Sequence, residues 1–453
     1  MTNKTTVSVT SYGAVPNGEL QTGSIQAAID DCFLSGGGEV RIPEGNFRSG
    51  GIRLRSGVTL RLQRGAVLSG SRNPEDYYGH LHDNVEPLTP AQITDAPWRH
   101  AGDSDRDNAF MRTAGSRWNN ALIRAIDAEN IAVIGEVGSV LDGCDCYDEA
   151  GEEQYRGPHC VGMHNCRGVT LRGYTVKNSA NWAHAIFFSE DITAEDITVL
   201  AGHDGIHVTA CDNISVKNCR FHTGDDCVAG FDNHNVVLRD CELNTACSAL
   251  RFGGNGVLVE NCRIFGPAKH SFRGSLSTEE KRAGAPAAAP RRRNMLSAFT
   301  YYSDFTMHVR KRPGNIVIRG CTIDNTDRLM HYNFSGNEPW QKNRPLHDIR
   351  FEDITAVGVS MPLDAYGDVD TPVVVELKNM DFTFREGFDN VSFLHACNYE
   401  RITMDHVNIK GAGGAPLIKT WCEGNIEMKD VTCGIPEKRR VVPASEPFFS
   451  QPI

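Results

Sequence analysis

"NCRGVTLRGYTV" (165–176), "SEDITAEDITVL" (189–200), "CDNISVKNCRF" (211–221), "NHNVVLRDCEL" (233–243) and "GNGVLVENCRI" (254–264) follow one another through the middle of the chain and share one pattern. A β-branched residue anchors each segment: Val169, Ile192, Ile214, Val236 and Val257, at intervals of 23, 22, 22 and 21 residues. Around each anchor apolar and polar residues alternate, and Asn, Asp or Gly breaks every run, which is strand chemistry with turn punctuation. One such coil cannot bury its own apolar face, whereas stacked coils can, so the period predicts a solenoid. A leucine-rich horseshoe would need regular leucines and a helical segment per repeat, and the segments contain neither. The expected fold is all-β: a right-handed, single-stranded parallel β-helix.

The pattern resumes at "PGNIVIRGCTI" (313–323), "LHDIRFEDITA" (346–356) and "YERITMDHVNI" (399–409), at longer intervals. A single domain over 1–453 is therefore expected. Its open N-terminal end needs a cap, and "GSIQAAIDDCF" (23–33), with apolar residues at helical spacing, supplies one within residues 1–35. Coils are expected over 36–433, and a Pro- and charge-rich tail over 434–453 is expected to wrap the outside or a neighbouring subunit. One segment interrupts the coils: "STEEKRAGAPAAAPRRRNM" (277–295), poor in apolar residues, reads as a solvated loop or as a flap over a cleft.

Composition narrows the function. A net charge of −11 over 453 residues argues against nucleic acid or an anionic membrane as partner. The start, "MTNKTTVSVTSYGAVPNG" (1–18), lacks the apolar core and cleavage site of a secretory signal, and no stretch is long and apolar enough to span a bilayer. A cytoplasmic location is the expectation. The 15 cysteines are an odd number without a compact framework, mostly beside Val or Ile, and read as small buried hydrophobes. Cys144 and Cys146 form C-x-C, not the C-x-x-C of zinc sites. No cofactor and no metal are expected.

In a parallel solenoid, residues at one offset from the anchor stack in rows about 4.8 Å apart. Twelve residues beyond the anchors lie Asn181, Asp204, Asp226 and Ser248, with Asp225 one position earlier on its coil. Fifteen residues beyond lie His184, His207, Ala229 and Arg251, and "HSFRGS" adds His270 and Arg273 to the same region. Asp204, Asp225 and Asp226 thus fall on adjacent coils. Crowded carboxylates resist ionising together, which gives an acid beside carboxylates, the pairing that glycoside hydrolysis needs. Asp212 and Asp232, each beside Asn, read instead as turn caps. A carboxylate trio also suits calcium, although His207 and Arg251 would compete with a cation. His184 and His207 are candidates to orient groups or contact substrate, as against satisfied structural histidines. Arg251 and Arg273, within strand-like runs, must point outward or be paired, and are candidates for substrate hydroxyls or a carboxylate. Trp182, Tyr155, Tyr301, Tyr302 and Trp340 could stack on sugar faces, or serve as core.

Several of these stretches resemble the polygalacturonase-type glycoside hydrolases of family 28. They are the run from Val9 to Leu68, "GSVLDGCDCYDEAGEEQYRGPH" (138–159), "NSANWAHAIFF" (178–188) and, most specifically, "GHDGIHV" (202–208) and "TGDDCVAG" (223–230). The resemblance covers roughly residues 8 to 410. It implies a catalytic aspartate trio of an inverting hydrolase, with Asp225 as general acid and Asp204 and Asp226 activating water. The chain departs from the family where a Gly-His-Gly segment is replaced by "TACSALRFGG" (245–254), leaving Cys247 or Ser248 in the histidine's place. It departs again where the Arg-Ile-Lys that holds the galacturonate carboxylate is replaced by "HSFRG" (270–274), with Ser271 for the arginine and Arg273 for the lysine.

The expected activity is exo-acting, inverting hydrolysis of a short oligosaccharide, a galacturonide or a related plant or microbial glycan. The rival expectations are a β-helical lyase or fructan-type transglycosidase, and a non-catalytic carbohydrate-binding solenoid. Association into a homo-oligomer is open to such a solenoid, and nothing in the sequence sets the number of subunits.

Overall fold

Strand after strand buries alternate residues. Arg167–Arg172 turns Val169 and Leu171 inward, and Asp212–Lys217 does the same with Ile214 and Val216. The computed structural model describes residues 5–80, 117–285, 291–303, 309–336 and 344–445. Two compact units make up the chain: Met1–Asp225 with Lys269–Arg292, and Asp226–Ala268 with Arg293–Ile453.

In the first unit the repeat anchors form one column, Ile131, Val169, Ile192 and Ile214, each paired in parallel register with the next. Leu60, Val133, Leu171, Ala194 and Val216 form the adjoining column. In the second unit the column runs through Val236, Val257, Ile316, Ile349, Val375, Ile402 and Ile426. The long interval between Ile349 and Ile402 thus holds a further coil, centred on Val375. Each such side chain contributes about 1.5–3 kcal/mol when fully buried. Both units are right-handed parallel β-helix, the hand that a right-twisted strand imposes on its crossovers.

The Asn and Asp that punctuate the repeats sit at coil corners in the left-handed conformation that these residues tolerate, as at Asn165, Asp191, Asn213 and Asn218. Their side chains bond from coil to coil: Asn213 donates to Asp191 at 2.9 Å and Asn379 to Asp353 at 2.9 Å. Asp232 is also left-handed, but is fully buried and paired with Arg310 at 2.9 Å. The end cap is the helix Thr22–Leu34, which buries Ile25, Ala28, Ile29 and Cys32. All 15 cysteines are free thiols and eleven are buried, which fits their reading as small hydrophobes.

The described part of the tail adds a rung where an outer wrap was expected: Val441–Pro443 pairs in parallel with Ile418–Thr420. Residues 446–453 of the tail, 286–290 of the 277–295 segment, and Trp340 lie outside the described residues. Among the described residues no helix is long and apolar enough to cross a membrane.

Candidate active site

In the first unit Asp204 lies between the strands Thr198–Ala201 and Ile206–Thr209, and is 3% exposed. Its Oδ2 is 3.1 Å from Nδ1 of His207. The imidazole lies flat on the indole of Trp182, with centroids 3.7 Å apart and planes within 2°. Trp182, a candidate sugar platform, thus spends one ring face on His207. Trp118 meets it edge-on at 4.8 Å.

Asp225 follows the strand Arg220–Thr223 and is the most open of the three aspartates, at 9% against 3% for Asp204 and 1% for Asp226. Gly224 precedes it for a steric reason: a Cβ there would lie 2.0 Å from the Ser271 carbonyl oxygen and 2.6 Å from that of Gly202. A guanidinium nitrogen of Arg156 lies 3.9 Å from the Asp225 carboxylate. The same buried guanidinium donates to Glu153 at 2.9 Å, to Asn181 at 3.2 Å and to Nδ1 of His203 at 3.0 Å. Asn181 in turn accepts the Trp182 backbone N–H at 3.1 Å. A continuous path therefore joins two of the aspartates: Asp225, Arg156, Asn181, Trp182, His207, Asp204.

Burial, reinforced by Arg156, holds His203 well below the usual imidazole range, so it is neutral and accepts at Nδ1. Its ring stacks on Tyr155 at 5.8 Å. At the rim, burial lifts the Glu152 carboxyl to about 7; Arg156 opposes the rise, while Glu153 and Asp225 add to it. Its side chain nevertheless keeps 38% of its surface open to solvent, so the value reports a crowded rim and not a dry interior.

In the second unit Asp226 accepts the Ser248 N–H at 2.9 Å and lies 3.7 Å from a guanidinium nitrogen of Arg251. Arg251, 30% exposed in its side chain, stands 4.6 Å above the ring of Tyr302. Each aspartate therefore has its own basic neighbour: His207, Arg156 and Arg251.

Two expectations are revised. His184 does not share a row with His207: the register pairs Ala185 with His207 and places His184 beside Val161. The spacing is 22 at this position where the anchor count gave 23, and a slip of one residue turns a strand side chain to the opposite face. His184 is accordingly core, 1% exposed, bonded to Gly205 O and Tyr174 Oη at 2.9 Å each, and burial pulls its pKa down to about 4. Arg273, expected at the substrate, is 3% exposed and faces Asp145, with further bonds to the backbone oxygens of Asp145 and Lys281 at 3.2 Å each. A buried guanidinium requires such partners. His270 is half-buried at the start of the segment leading to Arg273.

The interrupting segment is ordered where described. Thr278–Arg282 is a helical turn capped reciprocally by Ser277 and Glu280. It lays Lys281 over the Tyr155 ring at 3.9 Å and Arg282 over Tyr147 at 5.1 Å, so it forms a wall beside the Arg156 cluster. Tyr155 and Tyr301 are buried, while Tyr302 is half-buried beneath Arg251. A cavity of about 450 Å³ opens behind Asp145, lined by Arg72, Arg117, Tyr147, Asp148 and Arg282 among others. None of the three aspartates lines it, and its walls pair internally, as Arg117 does with Asp148 at 2.7 Å, so the reaction is better sought at the aspartates.

The sequence reading missed Arg156, His203 and Glu152. Glu152 and Arg156 lie on the "EEQYRGPH" (152–159) connection, which has no strand periodicity to place it, and His203, inside "GHDGIHV", is drawn into the cluster by its bond to Arg156. For a cation, Asp405, His406 and Asp430 come close enough to converge, but they are surface groups already paired, His406 with Asp405 at 2.8 Å and Lys429 with Asp405 at 3.5 Å.

The family model "Glycosyl hydrolases family 28" matches residues 108–248, the stretch that carries Arg156, Asp204, Asp225 and Asp226. An exo-poly-alpha-D-galacturonosidase of Dickeya chrysanthemi is 27% identical over 254 residues, 49% of this chain and 41% of that protein. The match spans less than half the length of that relative. A hyperthermoactive exopolygalacturonase of Thermotoga maritima superposes with a TM-score of 0.60 at 18% identity, covering 95% of this chain and 92% of that one. A family 28 exopolygalacturonase of Yersinia enterocolitica superposes with a TM-score of 0.58 at 18% identity, covering 96% and 79%. These two structures establish the shared fold. Over residues 108–248 the chain is similar to the glycosyl hydrolases of family 28, and it shares the parallel β-helix fold of the two solved exopolygalacturonases.

Proposed function

We propose that the chain is an exo-acting, inverting glycoside hydrolase of acidic oligosaccharides, galacturonides foremost. Asp225 acts as general acid, and Asp204 and Asp226 as the carboxylates that activate water. The observation that carries this reading is the unequal setting of three aspartates. Asp204 and Asp226 are almost closed off and held by His207 and Arg251, while Asp225 is the most open. A closed, oriented carboxylate suits the activation of one water, and the least enclosed of the three carboxyls suits delivery of a proton to the glycosidic oxygen. The names of the relatives, exo-poly-alpha-D-galacturonosidase and exopolygalacturonase, favour a galacturonide and an exo mode. Arg251, 3.7 Å from Asp226 and partly exposed, supplies a cation for a substrate carboxylate.

The test is turnover of an oligogalacturonide panel, with the product anomer followed by proton NMR. An α-linked substrate should yield the β-anomer first. Asp225→Asn should cut turnover by at least about a hundredfold, the usual worth of a positioned general acid, with the fold intact. Full turnover by Asp225→Asn rejects this assignment, first release of the α-anomer rejects inversion, and an unsaturated product absorbing in the ultraviolet points to a lyase.

A further inference from the structure

Strand register in the second unit lines up six residues on neighbouring coils: Arg251, Thr300, His331, Asp364, His395 and Lys419. The flanking residues of each strand are buried, for example Leu250 and Phe252, Leu363 and Ala365, Leu394 and Ala396. Alternation therefore sets the row on the opposite face of each strand from these apolar residues, where Thr300, His331 and Asp364 are covered and Arg251, His395 and Lys419 remain partly exposed. At about 4.8 Å per coil, the five steps from Arg251 to Lys419 extend about 24 Å. Arg251 itself is held to Asp226.

The row has a chemical character unlike the chain as a whole, whose net charge is −11. It holds two permanent cations, two imidazoles and one carboxylate, and that carboxylate is already matched. Asp364 is paired with Arg328, lies 2.8 Å from Nδ1 of His331 and accepts from the Tyr366 hydroxyl at 2.9 Å. Two residues further along their strands come aromatic rings, Tyr302, Tyr366 and Trp421. Trp421 meets His395 edge-on at 5.4 Å and Tyr366 at 6.2 Å, and the Lys419 ammonium is 5.5 Å from its ring. His331 and Asp364 are closed off at 1% exposure each, whereas His395, Lys419 and Trp421 remain partly open.

An ammonium, an imidazole held by a tyrosine and an indole, all partly open, form the donor set for a sugar ring bearing a carboxylate: ring face on indole, carboxylate on cation. We propose that His395, Lys419 and Trp421 form a distal subsite for an acidic sugar residue of the same oligosaccharide whose scissile bond lies at the Asp226 end. Asp364 and Tyr366 position that subsite. The proposal rests on the hydrolase reading for its reacting end, and it gives the substrate a minimum length of several sugar residues.

The experiment uses the full chain carrying Asp225→Asn, titrated calorimetrically with a galacturonic acid dimer and a hexamer. Trp421→Ala and Lys419→Ala, checked for fold by circular dichroism, should each lower the hexamer-to-dimer affinity ratio by roughly tenfold, the equivalent of about 1.4 kcal/mol. An unchanged ratio in both variants overturns the proposal, and so does an unmodified background that binds hexamer no better than dimer. If the chain without Asp225→Asn fails to cleave the hexamer while hexamer affinity still depends on Trp421, the subsite stands and the hydrolase reading falls.

Discussion

Replacing Arg156 by methionine should uncouple the two halves of the aspartate network. The guanidinium is 8% exposed and serves Glu153, Asn181, His203 and Asp225 together. Breaking a fully buried ion pair costs about 3–5 kcal/mol through the charge left behind. Here Glu153 is half open to water and regains solvation, whereas Asp225 and the Nδ1 of His203 are not so placed. An acceptor stranded in the interior costs about 1–3 kcal/mol. Together these place the loss near the lower end, about 3 kcal/mol. For a unit of this size that lowers the melting temperature by roughly 6–12 °C. Arg156→Lys restores a charge but not the planar fork that reaches Asn181 and His203 at once. It should melt closer to the unmodified chain yet lose roughly 10- to 100-fold in kcat with little change in KM, because an angstrom of misplacement is expensive in a near-attack geometry. The assays are melting followed by circular dichroism and initial rates on the best galacturonide. An Arg156→Met chain that melts with the unmodified one, or an Arg156→Lys chain with full kcat, refutes the argument.

Glu152 offers a pH test. Its carboxyl is raised to about 7 in the folded chain against an ordinary 4.5, so between those values the folded state keeps a proton that the unfolded state has released. Its stabilising contribution is present at low pH and lost as pH rises through 7; Glu152→Gln should flatten the decline in melting temperature between about pH 5 and 8. Replacing 278–284 by a short Gly-Ser link should alter the ratio of rates on long and short substrates, since Lys281 walls the Tyr155 side of the cluster; an unchanged ratio removes the wall from the mechanism. Treatment with a chelator should leave turnover unaltered, because Arg156 and Arg251 already bring positive charge to Asp225 and Asp226, and Asp204 is hydrogen-bonded to His207; a calcium-restorable loss contradicts this.

The solenoid was legible because its signal is repetitive: Val169, Ile192 and Ile214 stack at the intervals that the sequence displays. Asp204 and Asp225 were legible for the same reason, together with the local motifs around them. Row counting failed at His184 because the connection from Lys177 to Ala185 is one residue longer than the connection from Leu200 to His207 that it is stacked against, and a single residue exchanges inside for outside. Arg156 was invisible to periodicity since its connection belongs to no strand, and three of its partners, Asn181, His203 and Asp225, come from positions 25 to 69 residues away. Arg273 was ambiguous in principle: a strand arginine can serve a ligand or the protein, and only the position of Asp145, 128 residues earlier, decides between them. The 277–295 segment is poor in apolar residues, yet a capping box and two cation–aromatic contacts order the described part of it, and neither appears in a hydropathy pattern.

The flat contact between Trp182 and His207 also gives the molecule an optical handle. An indole excited beside an imidazole loses emission when that imidazole gains a proton, and His207 is hydrogen-bonded to Asp204. Of the chain's five tryptophans, Trp182 is joined by such a stack to a candidate reacting group. Its emission would therefore be sensitive to changes in the Asp204–His207 contact in the intact protein without added label.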